Sequence, residues 1–120
     1  MPSVEHIESA QNPAARRLRS LGGAKGRSEL GLILVEGEKM IREALSCGLE
    51  PREALFDDAR ADLIDRLAPL LAGARVLRAP ARILSSVCDT VTPQGACCAF
   101  SPPPPMEVIP DRIVALDGVQ

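Results

Sequence analysis

Four consecutive prolines, Pro102 to Pro105, limit this chain more than any other feature of it. Each proline fixes φ at about −65° and has no N–H to donate, so the run can join neither a helix interior nor the middle of a sheet. It forms a stiff, extended polyproline spacer. Whatever packs ahead of it must close by Ser101. The apolar run Ile113–Leu116 inside "RIVALDGVQ" lies beyond the spacer and is expected to belong to something else.

Ahead of the prolines, short apolar runs alternate with helical patterns. Asn12-Pro13 starts a helix, with Asn as the cap and Pro at the first helical position. Helical spacing puts Ala14, Leu18 and Leu21 on one face, Arg16 and Arg19 opposite, and Arg17 at the flank. Gly22-Gly23 ends that helix, and "GGAKGR" reads as a flexible basic loop. "GLILVEG" (31–37) has strand length and is expected to be buried on both faces. "EKMIREALSCG" is an amphipathic helix with Met40, Ile41, Ala44 and Leu45 on one side. Glu38–Arg42 and Lys39–Glu43 pair on the other side, and Gly48 stops the helix. "REALF" (52–56), "ARVLRA" and "ACCAF" read as strands. A helix with Leu63, Ile64 and Leu67 inward should end or kink near Pro69. Another opens at Pro80 with Ile83, Leu84 and Val87 inward. This alternation is the α/β class, with helices on both faces of a small sheet.

The chain has 120 residues, 46% of them hydrophobic and 25% charged, enough to bury a real core in one domain. A formal net charge of −2 excludes a protein that coats nucleic acid with its whole surface. The charge is unevenly spread. Ala14 to Ser28 carries Arg16, Arg17, Arg19, Lys25 and Arg27 and no acid, so this segment is either a local nucleic-acid patch or a solvated helix face. With two Phe and no Tyr or Trp, recognition of single strands by aromatic stacking is excluded. No stretch approaches the roughly 20 apolar residues of a membrane span. "MPSVEHIESAQNP" has no apolar signal-peptide core, so a cytoplasmic location is expected. Cys47, Cys88, Cys97 and Cys98 lack metal-ligand spacing and read as reduced thiols, with Cys97 and Cys98 on opposite faces of a strand. No metal is expected.

Three loops could carry chemistry. "VEGEK" (35–39) joins a strand to a helix start, where exposed N–H groups can hold a phosphate or simply be capped by the neighbouring acids. "TVTPQG" (90–95) makes a tight turn whose Thr92 and Gln94 could face a ribose or a base edge. "LFDDA" (55–59) pairs two Asp after a strand, as a phospho-receiver would, or supplies a helix N-cap. A receiver also wants a late Lys, and the only lysines, Lys25 and Lys39, both precede the Asp pair. The single His, His6, sits in what reads as a frayed N-terminus, and no nucleophile–base arrangement is visible.

"IESAQNPAARRLRSL", "GLILVEGEKMIREAL", "TVTPQGACCAF" and "RIVALDGVQ", in this order, resemble the N-terminal half of a SpoU/TrmH-family RNA ribose 2′-O-methyltransferase. The resemblance implies a three-layer α/β/α sandwich, like the ribosomal proteins that bind kinked RNA, and a role in holding substrate RNA. It implies a basic N-terminal helix and loop over 1–28, a core over 29–101, a linker over 102–111, and the first strand of a knotted catalytic domain over 112–120. S-adenosylmethionine, the catalytic Arg and the homodimer surface would belong to that catalytic domain. This chain alone is then expected to be a catalytically incomplete monomer without cofactor. The loops that grip RNA in the kinked-RNA binders match Glu36 to Lys39 and Thr90 to Gly95 by position. Glu-Gly-Glu stands where those binders have Asn-Glu, so hairpin or loop RNA in rRNA or tRNA is the expected partner. The residues implied in contact are Asn12, Arg16, Arg17, Arg19, Lys25, Arg27, Glu36, Gly37, Lys39, Thr92, Gln94 and Gly95. A stand-alone RNA-binding adaptor of the same fold is the alternative, and a phospho-receiver a more distant one.

Overall fold

The computed structural model describes residues 4–88 and 94–102. Thr92, the linker beyond Pro102 and the strand expected over 112–120 lie outside the described residues. The elements in chain order are β1 (Val4–His6), α1 (Pro13–Ser20), α2 (Ala24–Leu30), β2 (Ile33–Glu36), α3 (Glu38–Ser46), β3 (Glu50–Asp57), α4 (Ala61–Leu67), β4 (Arg75–Ala79), α5 (Ala81–Cys88) and β5 (Ala96–Ser101). A 3₁₀ turn, Ala68–Leu71, follows α4 and takes up Pro69 where the helix was expected to end.

The strands form one mixed sheet in the order β1-β4-β3-β5-β2. β1 and β3 run parallel to β4, whereas β5 is antiparallel to both of its neighbours, β3 and β2. Four strands therefore end at the edge where β5 begins. Alternation along each strand fills two cores. Leu55, Leu77, Ala79, Cys97 and Ala99 pack with Ala14, Ala15 and Leu18 of α1 and with Ile83, Leu84 and Val87 of α5. Ala54, Phe56, Val76, Ala96, Cys98 and Phe100 pack with Ile41 and Ala44 of α3 and with Leu63 and Leu67 of α4. The result is the expected layering of helices, sheet and helices.

Cys97 and Cys98 do lie on opposite faces. A hydrogen bond with Cys88, reinforced by burial, pushes the Cys97 thiol well above its ordinary range. Burial pushes Cys98 up to about 12. Both are therefore protonated and inert at neutral pH.

The structure corrects several sequence expectations. His6 is in β1, whose register runs Val4 to Val76 and His6 to Arg78, so this end of the chain is a sheet edge. "GGAKGR" is largely the helix α2, with Gly23 and Gly31 as its caps. Gly26 is there because the helix presses on the end of α1: a side chain at this position would drive into the Ser20 carbonyl. Among the described residues β2 is an edge strand, bonded to β5 alone and only half-buried, although its Ile-Leu-Val run matches a central strand equally well. Met40 points to solvent at 52% exposure, and Ile41 and Ala44 carry the buried face of α3.

Candidate nucleic-acid interface

At the edge where β2 and β3 end, two loops are stitched together by the backbone. The Gly37 N–H donates to the Ala96 carbonyl at 2.9 Å, and the Asp57 N–H donates to the Gly95 carbonyl at 2.9 Å. Gly37 is buried with φ 89° and ψ 149°, a region essentially reserved for glycine. The exposed Gln94 side chain lies across it: a Cβ on Gly37 would stand 2.6 Å from Gln94 Oε1. Glu36, Gly37, Gln94 and Gly95 are thus brought together, with Lys39 exposed one helical step away. The fit depends on the missing side chain of Gly37.

Charges at this edge are organised by arginines, two of which, Arg60 and Arg66, local sequence patterning did not single out. Glu38 accepts from Arg42 Nε at 3.1 Å and from Arg66 Nη2 at 2.9 Å. These bonds, that from Arg66 foremost, hold its carboxyl below the usual range. The Arg42 partnership was readable as an i,i+4 pair, whereas Arg66 is 28 residues from Glu38 and left no local signal. Arg60 Nε and Nη2 each reach one oxygen of Asp62 at 3.1 Å. The Arg60 hydrogen bond lowers the Asp62 carboxyl to about 2. A depressed carboxylate stabilises the fold above its unfolded-state pKa and loses that contribution as pH falls through the folded value. The Asp62 contribution should therefore fade between about pH 4 and pH 2. Carboxyl-carbon NMR should show Asp62 titrating near 2. Arg60→Gln should bring it back toward the ordinary aspartate range, and a wild-type midpoint already there would refute the pairing.

The Asp pair of "LFDDA" is committed elsewhere. Asp57 Oδ1 accepts from the Ala59 N–H at 2.9 Å, and Asp58 is bonded by Arg78 Nη1 at 2.7 Å. Neither caps α4, whose N-cap is Arg60. Among the described residues no cluster fit for a metal ion is present.

The basic segment lies toward the opposite edge. Asn12 caps α1, its Oδ1 accepting from the Ala14 N–H at 2.8 Å. Arg17 is turned inward to Glu53, at 2.7 Å through Nη2 and 3.3 Å through Nε. Glu53 is 8% exposed and is also touched by Arg75 at 3.5 Å, which in turn holds Glu5 at 2.8 Å. Arg19 donates to the Ala10 carbonyl at 2.7 Å and to Ser86 Oγ at 3.2 Å, and Arg27 to the Leu21 carbonyl at 3.2 Å. Arg16 and Lys25 are exposed without an ion-pair partner among the described residues. Arg16 and Arg17 line an open groove of about 390 Å³ with Pro13, Ser20, Glu29 and Leu30. Glu53 precedes Asp57 by four residues of one strand, so these two positions are about 13 Å apart along β3.

Residues 12–98 match the family described as the MRM3-like substrate binding domain. An uncharacterized tRNA/rRNA methyltransferase from Synechocystis is 29% identical over 112 residues, covering 84% of this chain and 40% of that protein. An rRNA methyltransferase from Sinorhizobium meliloti superposes with a TM-score of 0.71 at 23% identity, covering 82% of this chain and 37% of its own. That enzyme is also known with AdoMet bound. An RNA 2′-O ribose methyltransferase gives 0.71 at 24% identity, over 87% of this chain and 40% of its own. The chain thus spans about 40% of the length of the relatives it matches. It belongs to the MRM3-like substrate binding domain family, whose matched relatives are SpoU/TrmH RNA methyltransferases.

Proposed function

We propose that this chain holds the RNA substrate of an S-adenosylmethionine-dependent ribose 2′-O-methyltransferase that acts in the cytoplasm on rRNA or tRNA. The observation that carries the reading is the seam at the sheet edge, where Gln94 lies against Gly37 and the Gly95 carbonyl is held by the Asp57 N–H. A fixed sheet edge that presents one exposed amide suits an unpaired nucleotide, whose base and 2′-hydroxyl offer both donors and acceptors. Arg16, Lys25 and Arg27 would position the backbone from the other end through phosphates, contributing affinity rather than sequence choice.

The groove beside Arg16 does not suit the methyl donor itself. A nucleoside cofactor needs a concave and mostly apolar enclosure. The groove beside Arg16 is open, with Pro13 and Leu30 as its apolar wall. The reading therefore gives residues 1–28 and 29–101 to RNA holding, 102–111 to a spacer, and 112–120 to the beginning of a catalytic domain. That domain would bind S-adenosylmethionine, transfer the methyl group and form the homodimer, and this chain alone would stay monomeric and inactive.

Fluorescence anisotropy with a short RNA hairpin, repeated over a salt series, tests the reading. Wild type should bind with a steep salt slope. Replacing Arg16, Lys25 and Arg27 together by Ala should flatten that slope by about two to three units. Gln94→Ala should weaken binding about fivefold at unchanged slope, because it removes a contact to a base or ribose. Binding that neither change affects would overturn the reading. Arg17 and Arg19 are left intact because both hold the fold.

A further inference from the structure

The turn between β3 and α4 aims one more cation at this edge. Asp57 Oδ1 accepts from the Ala59 N–H at 2.9 Å, and the Arg60 N–H donates to the Asp57 carbonyl at 2.9 Å. Those two bonds fix the backbone from which the Arg60 side chain leaves. Asp62 then takes Nε and Nη2, one oxygen each. Nη1 has no hydrogen-bond partner among the described residues. It lies 3.1 Å from the place a Cβ of residue 95 would occupy, against the buried Gly95 with φ 85°. The side chain is 42% exposed. One edge of the guanidinium is therefore anchored on a carboxylate, and Nη1 lies against Gly95.

An arginine has five donors in a planar fork, and its charge is permanent. Anchoring half of that fork removes the rotamer freedom that a free surface arginine would lose on binding. Net charge does not explain the arrangement. Arg42, Arg60 and Arg66 are offset locally by Glu38, Asp62 and the nearby Asp57. What the site offers an anion is direction.

We propose that Arg60 is a phosphate-contacting residue of the RNA surface, and that Asp62 is its positioning residue. Through Nη1, Arg60 donates to the backbone phosphate of the nucleotide seated at Gln94–Gly95. The proposal rests on the RNA-holding function given above.

The same hairpin assay, with the full 120-residue chain, tests it. Arg60→Gln should weaken binding about tenfold and lower the salt slope by about one unit, with little change in Tm. Asp62→Asn separates geometry from charge. It removes a negative charge beside the RNA, so an effect of net charge alone would tighten binding. Loss of the anchor should instead loosen it about threefold. Unchanged affinity and slope in Arg60→Gln, with wild type binding normally, would overturn the phosphate contact. Tighter binding by Asp62→Asn would overturn the positioning role. A wild-type chain that binds no RNA would overturn the underlying function as well.

Discussion

Gly37→Ala should cost about 2–3 kcal/mol and lower Tm by roughly 10 °C or more. Two separate penalties meet at this position. The backbone, at φ 89° and ψ 149°, lies where an L side chain is strained whatever space surrounds it. The new Cβ would also stand 2.6 Å from Gln94 Oε1. The second penalty can be relieved, because Gln94 is exposed and can turn away, whereas the first cannot. In a Gln94→Ala background the cost should therefore fall by less than about 1 kcal/mol. Gly31 is a useful control. It lies in the left-handed helical basin at φ 66° and ψ 29°, and a Cβ there meets nothing within 4 Å. Gly31→Ala should cost about 1 kcal/mol. Denaturant unfolding of the four variants measures all these terms. If Gly37→Ala costs no more than Gly31→Ala, the seam is looser than the geometry indicates. RNA binding by Gly37→Ala, measured well below its Tm, would then report the displaced Gln94 turn rather than unfolding.

Arg17→Ala should cost about 2 kcal/mol in urea unfolding. Removing one partner of a buried ion pair strands the other, commonly at about 3–5 kcal/mol. The figure here is discounted because the Arg17 side chain is 43% exposed and Arg75 still reaches Glu53 at 3.5 Å. Replacing both residues, Arg17→Leu with Glu53→Leu, should recover most of the loss, since no charge is then left without a partner. A double variant as unstable as the single one would show that Arg17 acts by packing its stem, not by neutralising Glu53. Arg16→Ala, a few ångströms away on the solvent face, should leave Tm nearly unchanged. Of these neighbouring arginines in one short helix, Arg17 holds the fold and Arg16 has no ion-pair partner among the described residues, so a change in RNA binding would be free of a stability effect for Arg16 and not for Arg17.

Local chemistry in the sequence was enough for the elements with strong signals. Asn12-Pro13 announced α1, Pro69 and Pro80 marked a helix end and a helix start, and the alternation through "ACCAF" placed Cys97 and Cys98 on opposite faces. Where signals were ambiguous, the reading failed for identifiable reasons. Val4-Glu5-His6 is too short and polar to look like a strand, and only β4 beside it makes it one. The glycines around Lys25 suggested looseness, yet Gly26 permits close approach to α1. An Ile-Leu-Val run reads alike in a central strand and in the edge strand β2. The two loops of the site were visible as loops, but their contact lies between residues 57 apart and followed only from the family resemblance. Arg60 and Arg66 were unreadable as site residues, because folding alone brings them to Gly95 and Glu38.

The position of β5 has a consequence for how this protein is made. The last of the described strands lies between β3 and β2, and among the described residues β2 bonds to nothing else in the sheet. A nascent chain emerging N-terminus first can form α1, α3 and the parallel strands. It cannot close either core until Ala96 to Ser101 arrives to supply Cys97, Ala99, Cys98 and Phe100. Synthesis thus passes through a long interval in which β2 has a free edge on both sides and the apolar faces of α3 and α4 lack a floor.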